Sequence, residues 1–354
     1  MSCSSAVAAV LAAYIVLSTV CLQANAFLDI VAFGDSLTDD CTMGASQVVD
    51  NALDTDQPFP GAPYYNGCIF SSGPPYPVVA AGILNMSLTD YAKGGATSGA
   101  VPGTVVIPTG FANLAMPVPV EIPSTLDQVS EYLQANNGTA SPDTIYFLFI
   151  GANDYLNTLG GVANATAEEV LEATAEAMDI LYQAGARVFY TQLLPYLGNT
   201  PRLMAAGPEA VAIANELTTV HNNALAELLP AFAADHLDAS VILFNFEAFL
   251  IQLAQNATAL GITDTTTPCY TGAVAGSATT LANTSAVCSN PNNHAYWDGV
   301  HPTGRVHELW GQAVAAQLMP FASTTSSTSR KLLAQGHGFE GAGLGGIWVY
   351  GQPL

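Results

Sequence analysis

The strongest constraint on this sequence comes from residues 30–36, where the apolar run Ile-Val-Ala-Phe ends in Gly-Asp-Ser. A buried strand that ends in a tight turn before a helix can hold a serine oxygen out at the edge of a sheet. The same pattern fits a serine that only caps the following helix. Ser36 can therefore be interpreted as a nucleophile only if the chain also supplies a base, an orienting acid and oxyanion donors.

Apolar strands alternate with helical patterns along the rest of the chain. The continuous apolar run at residues 144–150 is typical of a parallel strand that is covered on both faces. Further strands are predicted at residues 87–92, 187–194 and 240–244, the last of the sheet, and helices at 76–84, from 124, at 166–185, 208–229, 247–254 and after His301. The alternation predicts an α/β fold with a five-stranded parallel, flavodoxin-like sheet and a site at the carboxyl ends of its strands.

Three segments carry more local predictions. Residues 39–73 are acidic and rich in Pro, Gly and Asn, which predicts a loop, and residues 101–123 contain five prolines, which also predicts a loop. In the long helix from residue 208, the inward-facing positions are predicted from helical spacing to be Ile213, Leu217, Val220, Ala224 and Leu228.

The length of 354 residues suggests two domains, but no linker rich in charge or in Gly and Ser interrupts residues 27–321. We therefore expect one domain there. Residues 322–354 change to Ser/Thr and then to glycine, which predicts a poorly ordered tail. Residues 341–346 match a dinucleotide fingerprint, but no predicted strand leads into them and no helix follows, so the match is rejected.

The first 26 residues predict a cleaved signal peptide. They carry no charge, residues 6–22 are almost wholly apolar, and Ala24-Asn25-Ala26 has the form of a signal-peptidase site. The alternative is a membrane anchor, for which the run is slightly short. We therefore expect a secreted, extracellular protein that starts near Phe27, with no membrane segment after cleavage.

The cysteines and sequons agree with secretion. Without the leader, Cys41, Cys68, Cys269 and Cys288 remain, which indicates two disulfides with three possible pairings. Proximity in the sequence favours Cys41 with Cys68 and Cys269 with Cys288. Five N-x-S/T sequons indicate a glycoprotein: Asn85, Asn137, Asn164, Asn256 and Asn283.

The net charge and the absence of several motifs argue against some classes of function. Acidic residues outnumber Lys and Arg by 28 to 6, so the formal net charge of −22 disfavours nucleic acid as a partner. The sequence contains no Cys-x-x-Cys, no His-Glu-x-x-His and no Gly-x-Ser-x-Gly. We therefore expect no metal and no cofactor, and neither a metallohydrolase nor an α/β-hydrolase lipase.

Three further stretches end strands or begin helices on what should be the same rim of the sheet as Ser36. They are Gly94-Gly95, Asn153 after the strand at 144–150, and Asp298 with His301 before the last helix. A histidine fixed at a loop–helix junction can be oriented through its second ring nitrogen by a carboxylate three residues earlier.

With these stretches the chain resembles the GDSL esterase/lipase family, also called SGNH hydrolases after the Ser, Gly, Asn and His of four motifs. The resemblance rests on residues 33–39, 90–96, 151–155 and 298–303, in family order. In place of the Gly-Asn that the plant-type pattern has after Asp39, this chain has Asp40-Cys41-Thr42. The resemblance implies a three-layer α/β/α fold and hydrolysis of carboxylic esters.

The roles of the motif residues follow from chemistry and from the resemblance. Ser36 would attack the acyl carbon, His301 would carry its proton, and Asp298 would hold the imidazole tautomer. The oxyanion donors would be the Ser36 N–H, the Asn153 amide and the Gly95 N–H, which we prefer to that of Gly94 because Gly95 aligns with the family glycine. The expected partner is a small-molecule, lipid or acylated-polysaccharide ester, and the expected state is a monomer.

Other polar residues receive structural interpretations. Asp35, Asp39 and Asp154 are expected to fix turns through backbone N–H groups. His307 is expected to be structural, and no motif includes His221, His236, His294 or His337. Two other functions remain open: an acyltransferase that uses the same site, and a non-catalytic extracellular scaffold that binds glycans or the cell wall.

Overall fold

The computed structural model describes residues 27, 29–272, 286–322 and 347–351. The predicted signal peptide, the Asn283 sequon, His337 and residues 323–346 of the predicted tail lie outside these residues.

A twisted sheet forms the centre of the fold. The strands among the described residues are β1 (Asp29–Gly34), β2 (Ser87–Asp90), β3 (Gly103–Ile107), β4 (Val118–Ile122), β5 (Thr144–Phe149), β6 (Val188–Gln192), β7 (Ser240–Phe244), β8 (Asp264–Pro268), β9 (His294–Tyr296) and β10 (Ile347–Gly351). The order in the central sheet is β10-β7-β6-β5-β1-β2. The five strands from β7 to β2 are parallel, and their order is the flavodoxin-like one, which confirms the predicted sheet.

A sixth strand was not predicted. β10 pairs antiparallel with β7, so residues 240–244 are not the last strand of the sheet. β10 lies inside the segment 322–354 that the composition assigned to a poorly ordered tail. The strand was missed because its five residues hardly change the composition of that segment. Its hydrogen-bond partner β7 also lies more than a hundred residues earlier in the chain.

Helices cover both faces of the sheet. They are α1 (Ala45–Leu53), α2 (Tyr76–Leu84), α3 (Thr125–Ala135), α4 (Ala152–Leu159), α5 (Ala167–Ala184), α6 (Pro201–Ala206), α7 (Pro208–Asp235), α8 (Phe246–Gln255) and α9 (Gly304–Ala322). Along β1, Ile30 and Ala32 join one apolar core with α2 and α9, while Val31 and Phe33 join a second core with α3 and α5. This arrangement is the three-layer α/β/α sandwich that the resemblance implied.

Two predicted loops contain regular structure. Residues 39–73 include α1, and residues 101–123 form the antiparallel hairpin of β3 and β4. Side chains alternate between buried and less buried positions along β3, which is the period of a strand. Pro119 lies in β4 without breaking the hairpin, because a two-stranded ribbon leaves one edge of each strand unpaired.

The predicted inner face of α7 is confirmed at Leu217, Ala224 and Leu228, which are partly buried against the apolar cores, and is wrong at the other two positions. Ile213 and Val220 are 45% and 50% exposed, whereas the buried stripe includes the polar residues Thr218, His221 and Asn222. Asn222 bonds the backbone N–H and C=O of Leu194 at the carboxyl end of β6, at 2.8 and 2.9 Å. Buried polar groups with hydrogen-bond partners replace apolar ones on part of this face, so apolar spacing wrongly placed Ile213 and Val220 on it.

The disulfides are those that proximity favoured, Cys41–Cys68 and Cys269–Cys288. The four sequon asparagines among the described residues, Asn85, Asn137, Asn164 and Asn256, are all exposed. Among the described helices, none is both long enough and apolar enough to cross a bilayer.

Candidate active site

Ser36 lies in a tight turn at the carboxyl end of β1. The amides of Thr38 and Asp39 both donate to the Asp35 carbonyl at 3.0 Å, and the Asp35 carboxylate accepts the Leu37 N–H at 3.0 Å. A side chain at Gly34 would come within 2.6 Å of the Phe149 carbonyl, so the close approach of β1 and β5 requires glycine there. The turn leaves Ser36 partly exposed among buried neighbours.

A buried glutamine holds the end of β1. Gln128 on α3 accepts the Gly34 N–H with its Oε1 at 2.9 Å, and its Nε2 donates to the Gly34 carbonyl at 2.9 Å. Both backbone groups of the residue that begins the serine turn are therefore fixed by one side chain. This role could not be predicted from the sequence, because Gln128 is 94 residues away from Gly34 and belongs to no motif.

His301 and Asp298 complete a hydrogen-bonded chain to the serine. His301 Nε2 is 2.8 Å from Ser36 Oγ, and His301 Nδ1 is 2.7 Å from Asp298 Oδ2. The loop that carries them is closed by the Trp297 N–H, which donates to the His301 carbonyl at 2.7 Å, and α9 begins three residues after His301. This geometry allows the imidazole to take the proton of the Ser36 hydroxyl.

Asp298 is completely buried and accepts four hydrogen bonds. Its Oδ1 accepts the N–H groups of Val300 and His301, both at 2.8 Å, and its Oδ2 accepts the Tyr64 hydroxyl at 2.8 Å besides His301 Nδ1. Burial by itself would raise the pKa of Asp298, but the positive charge of His301 and the hydrogen bonds from His301 and Val300 outweigh it and lower the pKa below its usual value. The carboxylate is therefore ionised and can stabilise an imidazolium.

Tyr64 is a site residue that sequence reasoning missed. It lies four residues before Cys68, and the Cys41–Cys68 disulfide ties this part of the segment 39–73 to the loop just after Ser36. Phe70 in the same segment packs against the His301 ring, with ring centroids 5.5 Å apart. In this chain the loop that lacks the plant-type Gly-Asn is thus crosslinked to the segment that supports the histidine and its aspartate. A single tyrosine in a loop carries no signal of such a contact.

Gly94 and Gly95 are the two candidate glycine donors to the oxyanion, and their hydrogen bonds distinguish them. The Gly94 N–H donates to Asp39 Oδ2 at 2.8 Å and is therefore occupied. The N–H groups of Gly95 and Ser36 make no hydrogen bond to any residue that the structure describes. Gly95 has φ +90°, and a side chain there would come within 2.5 Å of Val105 in β3. The hairpin that the sequence did not predict thus packs against this glycine.

Asn153 lies in the first turn of α4, directly after β5. Its Nδ2 donates to the Ala96 carbonyl at 2.8 Å, which fixes the amide beside the Gly95 loop. The amide has a second N–H, which this bond leaves available. The structure brings Asn153, Gly95 and Ser36 to the carboxyl edge of the sheet, as the sequence predicted.

The three aspartates that were assigned to turns do bond backbone N–H groups. Asp39 accepts those of Cys41, Ala45 and Gly94, and Asp154 accepts that of Ser98. Burial raises the pKa of Asp35, Asp39 and Asp154 to about 6 in each case, against the hydrogen bonds that lower it.

His307 and His221 have structural surroundings. His307 Nδ1 accepts the Tyr76 N–H at 3.2 Å, and burial lowers the pKa of His307 to about 3. His221 is 2.8 Å from the Tyr155 hydroxyl, and burial lowers its pKa to about 4. Both rings are therefore neutral at physiological pH. His236 pairs with Asp179, and His294 lies 3.9 Å from Asp264.

A family model, two proteins and one solved structure are similar to this chain. The model of the GDSL-like lipase/acylhydrolase family matches residues 30–314. A phosphatidylcholine-sterol acyltransferase from Aeromonas hydrophila is 26% identical over 326 residues, which cover 82% of this chain and 90% of that protein. A GDSL esterase/lipase from Arabidopsis thaliana is 29% identical over 234 residues, which cover 62% of this chain and 63% of the plant protein. A GDSL-like lipase structure from Parabacteroides merdae is 12% identical, covers 84% of this chain and 97% of its own, and has a TM-score of 0.47.

Proposed function

The chain belongs to the GDSL-like lipase/acylhydrolase family of enzymes that act on ester bonds, and we propose that it hydrolyses carboxylic esters through an acyl-enzyme on Ser36. The observation that carries this proposal is the 2.8 Å separation of Ser36 Oγ from His301 Nε2, with Asp298 on the other ring nitrogen. A serine that only caps a helix needs no such partner.

In the first half of the reaction, His301 Nε2 takes the hydroxyl proton while Ser36 Oγ bonds to the acyl carbon. The tetrahedral intermediate collapses when the ester C–O bond breaks, and His301 returns the proton to the leaving alcohol. Asp298 holds the Nδ1–H tautomer before the transfer and stabilises the imidazolium during it. Tyr64 fixes the carboxylate oxygen that faces the histidine.

The developing oxyanion needs donors that are in place before reaction. We assign this role to the unoccupied N–H groups of Ser36 and Gly95 and to the second N–H of the Asn153 amide. The Gly94 N–H is excluded because Asp39 already occupies it. Asp39 is therefore a residue that positions the glycine loop.

In the second half His301 takes a proton from water while the water oxygen bonds to the acyl carbon. The bond from the acyl carbon to Ser36 Oγ then breaks, and His301 returns the proton to Ser36 as the free acid leaves. A second candidate is acyl transfer to another alcohol, favoured by the Aeromonas acyltransferase that aligns with 82% of this chain. The two are separated by the product: in the presence of an alcohol acceptor, hydrolysis yields free acid and transfer yields a new ester. Free acid as the main product supports our proposal.

We propose that the enzyme acts outside the cell as a glycoprotein. Support comes from the leader-like residues 1–26, the two disulfides and the exposed sequon asparagines. The net charge of −22 favours a substrate without strong negative charge.

The proposed activity is tested with p-nitrophenyl esters from acetate to palmitate, alongside acetylated xylan. Turnover of at least one ester by the purified protein, in the absence of added metal or cofactor, is expected. A folded protein that cleaves none of them but binds glycans would instead support the non-catalytic scaffold.

Asn153→Ala is expected to lower kcat by about a hundred- to a thousandfold, as the loss of one oxyanion donor does, with a much smaller change in KM. Asn157→Ala, one helical turn further along α4, is the matched control and should leave kcat unchanged. If Asn153 only fixes a turn, its truncation will lower the melting temperature and leave kcat of the folded protein normal. That result would remove Asn153 from the site.

A further inference from the structure

Gln128 lies where the two turns that carry the proposed backbone oxyanion donors begin. The Gly34 carbonyl accepts hydrogen bonds from Gln128 Nε2 at 2.9 Å and from the Lys93 N–H at 3.1 Å. Gly34 is two residues before Ser36, and Lys93 is two residues before Gly95. We propose that Gln128 is a positioning residue, which sets the distance and direction of the Ser36 N–H relative to the Gly95 N–H. The inference rests on the proposed ester hydrolysis and adds to it a completely buried residue that acts through the backbone.

The hydrogen bonds between β1 and β2 continue past the end of β2 up to this point. The Tyr91 N–H donates to the Ala32 carbonyl at 2.8 Å, and the Lys93 N–H then donates to the Gly34 carbonyl. Beyond these residues one chain turns into Ser36 and the other into the glycine loop, which comprises residues 93–97. Since a glycine has no side chain to restrict its backbone, Gly34 is fixed by what it bonds to. Gln128 therefore controls how the two turns leave the sheet.

The same helix holds the far end of the glycine loop. The Thr125 N–H in the first turn of α3 donates to the Thr97 carbonyl at 2.9 Å. This turn is itself fixed by a capping box, because the Ser124 hydroxyl accepts the Asp127 N–H at 3.3 Å and the Asp127 carboxylate accepts the Ser124 N–H at 2.9 Å. Gln128 follows the capping box directly. The start of α3 thus holds the glycine loop at both of its ends.

The chemistry of the side chain fits a positioning role better than the filling of space. Gln128 Oε1 accepts the Gly34 N–H at 2.9 Å, and its Nε2 also lies 3.4 Å from the Pro123 carbonyl. Burying an amide costs free energy that an apolar side chain of the same size would not cost. A side chain that both accepts and donates can hold the N–H and the C=O of one residue at once. We therefore expect loss of the amide to displace the turn at Gly34.

Gln128→Met keeps the length of the side chain and removes its hydrogen bonds. Because a displacement of about 1 Å at an active site can cost about a hundredfold in rate, we expect kcat to fall by about ten- to a hundredfold, with KM nearly unchanged. The inhibition constant of phenylboronic acid should rise by a similar factor, since its tetrahedral adduct with Ser36 presents an oxygen to the oxyanion donors. Both quantities are measured with the p-nitrophenyl ester that the wild type cleaves best, on protein whose fold is checked by circular dichroism.

Gln317→Met is the matched control. Gln317 on α9 is also a buried glutamine, and its Nε2 donates to the Leu243 carbonyl at 3.0 Å. Leu243 belongs to β7, which β6 and β5 separate from β1. This substitution should lower the melting temperature and leave kcat and the inhibition constant of the folded protein unchanged.

Gln128→Asn is a second variant that keeps the amide. Its side chain is one methylene shorter, so it cannot hold both backbone groups of Gly34 at their present distances. We expect kcat and the inhibition constant to change together again, by a smaller factor. Wild-type values of both in either folded variant, or a lower kcat with an unchanged inhibition constant, would overturn the positioning role while esterase activity remained. A wild-type protein that cleaves no ester would instead contradict the proposed function itself.

Discussion

Ser36→Ala is expected to lower kcat for every ester that the wild type cleaves by about four to six orders of magnitude, because no other group can form the acyl-enzyme. The melting temperature should be nearly unchanged, since Ser36 is partly exposed and its hydroxyl contributes little to packing. Initial rates are measured with the most reactive ester of the panel, on protein whose fold has been checked by circular dichroism.

Ser98→Ala provides a control with another serine of the same rim. Ser98 hydrogen-bonds Asp154 at 2.8 Å and is buried, so its loss should cost stability and leave turnover of the folded protein measurable. If a folded Ser36→Ala variant kept normal hydrolysis, Ser36 would be only a turn residue.

Asp298→Asn is expected to lower kcat by about ten-thousandfold. The amide keeps the shape of the carboxylate, but its NH2 group replaces either Oδ2, which accepts from Tyr64 and His301 Nδ1, or Oδ1, which accepts from two backbone N–H groups. If it faces His301 Nδ1, the imidazole carries its proton on Nε2 and cannot accept the proton of Ser36. The variant is measured on the same ester as Ser36→Ala, with kcat and melting temperature determined on one preparation.

Tyr64→Phe is a milder change at the same carboxylate. It removes one of the four hydrogen bonds to Asp298 and leaves the carboxylate facing His301, so its effect on kcat should be far smaller than that of Asp298→Asn. If Asp298 had only a structural role, its substitution would lower stability and leave kcat unchanged. Asp298→Asn would then melt early and turn over normally when folded.

The sequence predicted which residues of the candidate site lie together, because parallel topology brings them to one edge of the sheet. Ser36, Gly95 and Asn153 each follow a strand that is recognisable from its apolar run, and parallel strands bring their carboxyl ends to one edge. His301 is recognisable because its partner Asp298 is three residues away. Local pattern and topology together placed residues that are up to 265 positions apart in the chain.

The supporting contacts could not be predicted in the same way. Gln128 and Tyr64 act across 94 and 234 residues, and each is an ordinary residue of its own element. The buried face of α7 is polar where it holds the loop after β6, so apolar periodicity misplaced Ile213 and Val220. The β3–β4 hairpin was predicted to be a loop because of its prolines, which a two-stranded ribbon tolerates.

The central claim is that Ser36 is a nucleophile activated by His301, and covalent labelling tests it most directly. The protein is treated with a fluorophosphonate, which forms a stable phosphonyl ester with an activated serine, and the adduct is located by peptide mass spectrometry. We expect one adduct, on Ser36, and almost none in a folded His301→Ala variant. An active enzyme that carries no label on Ser36, or that is labelled equally well without His301, would contradict the mechanism.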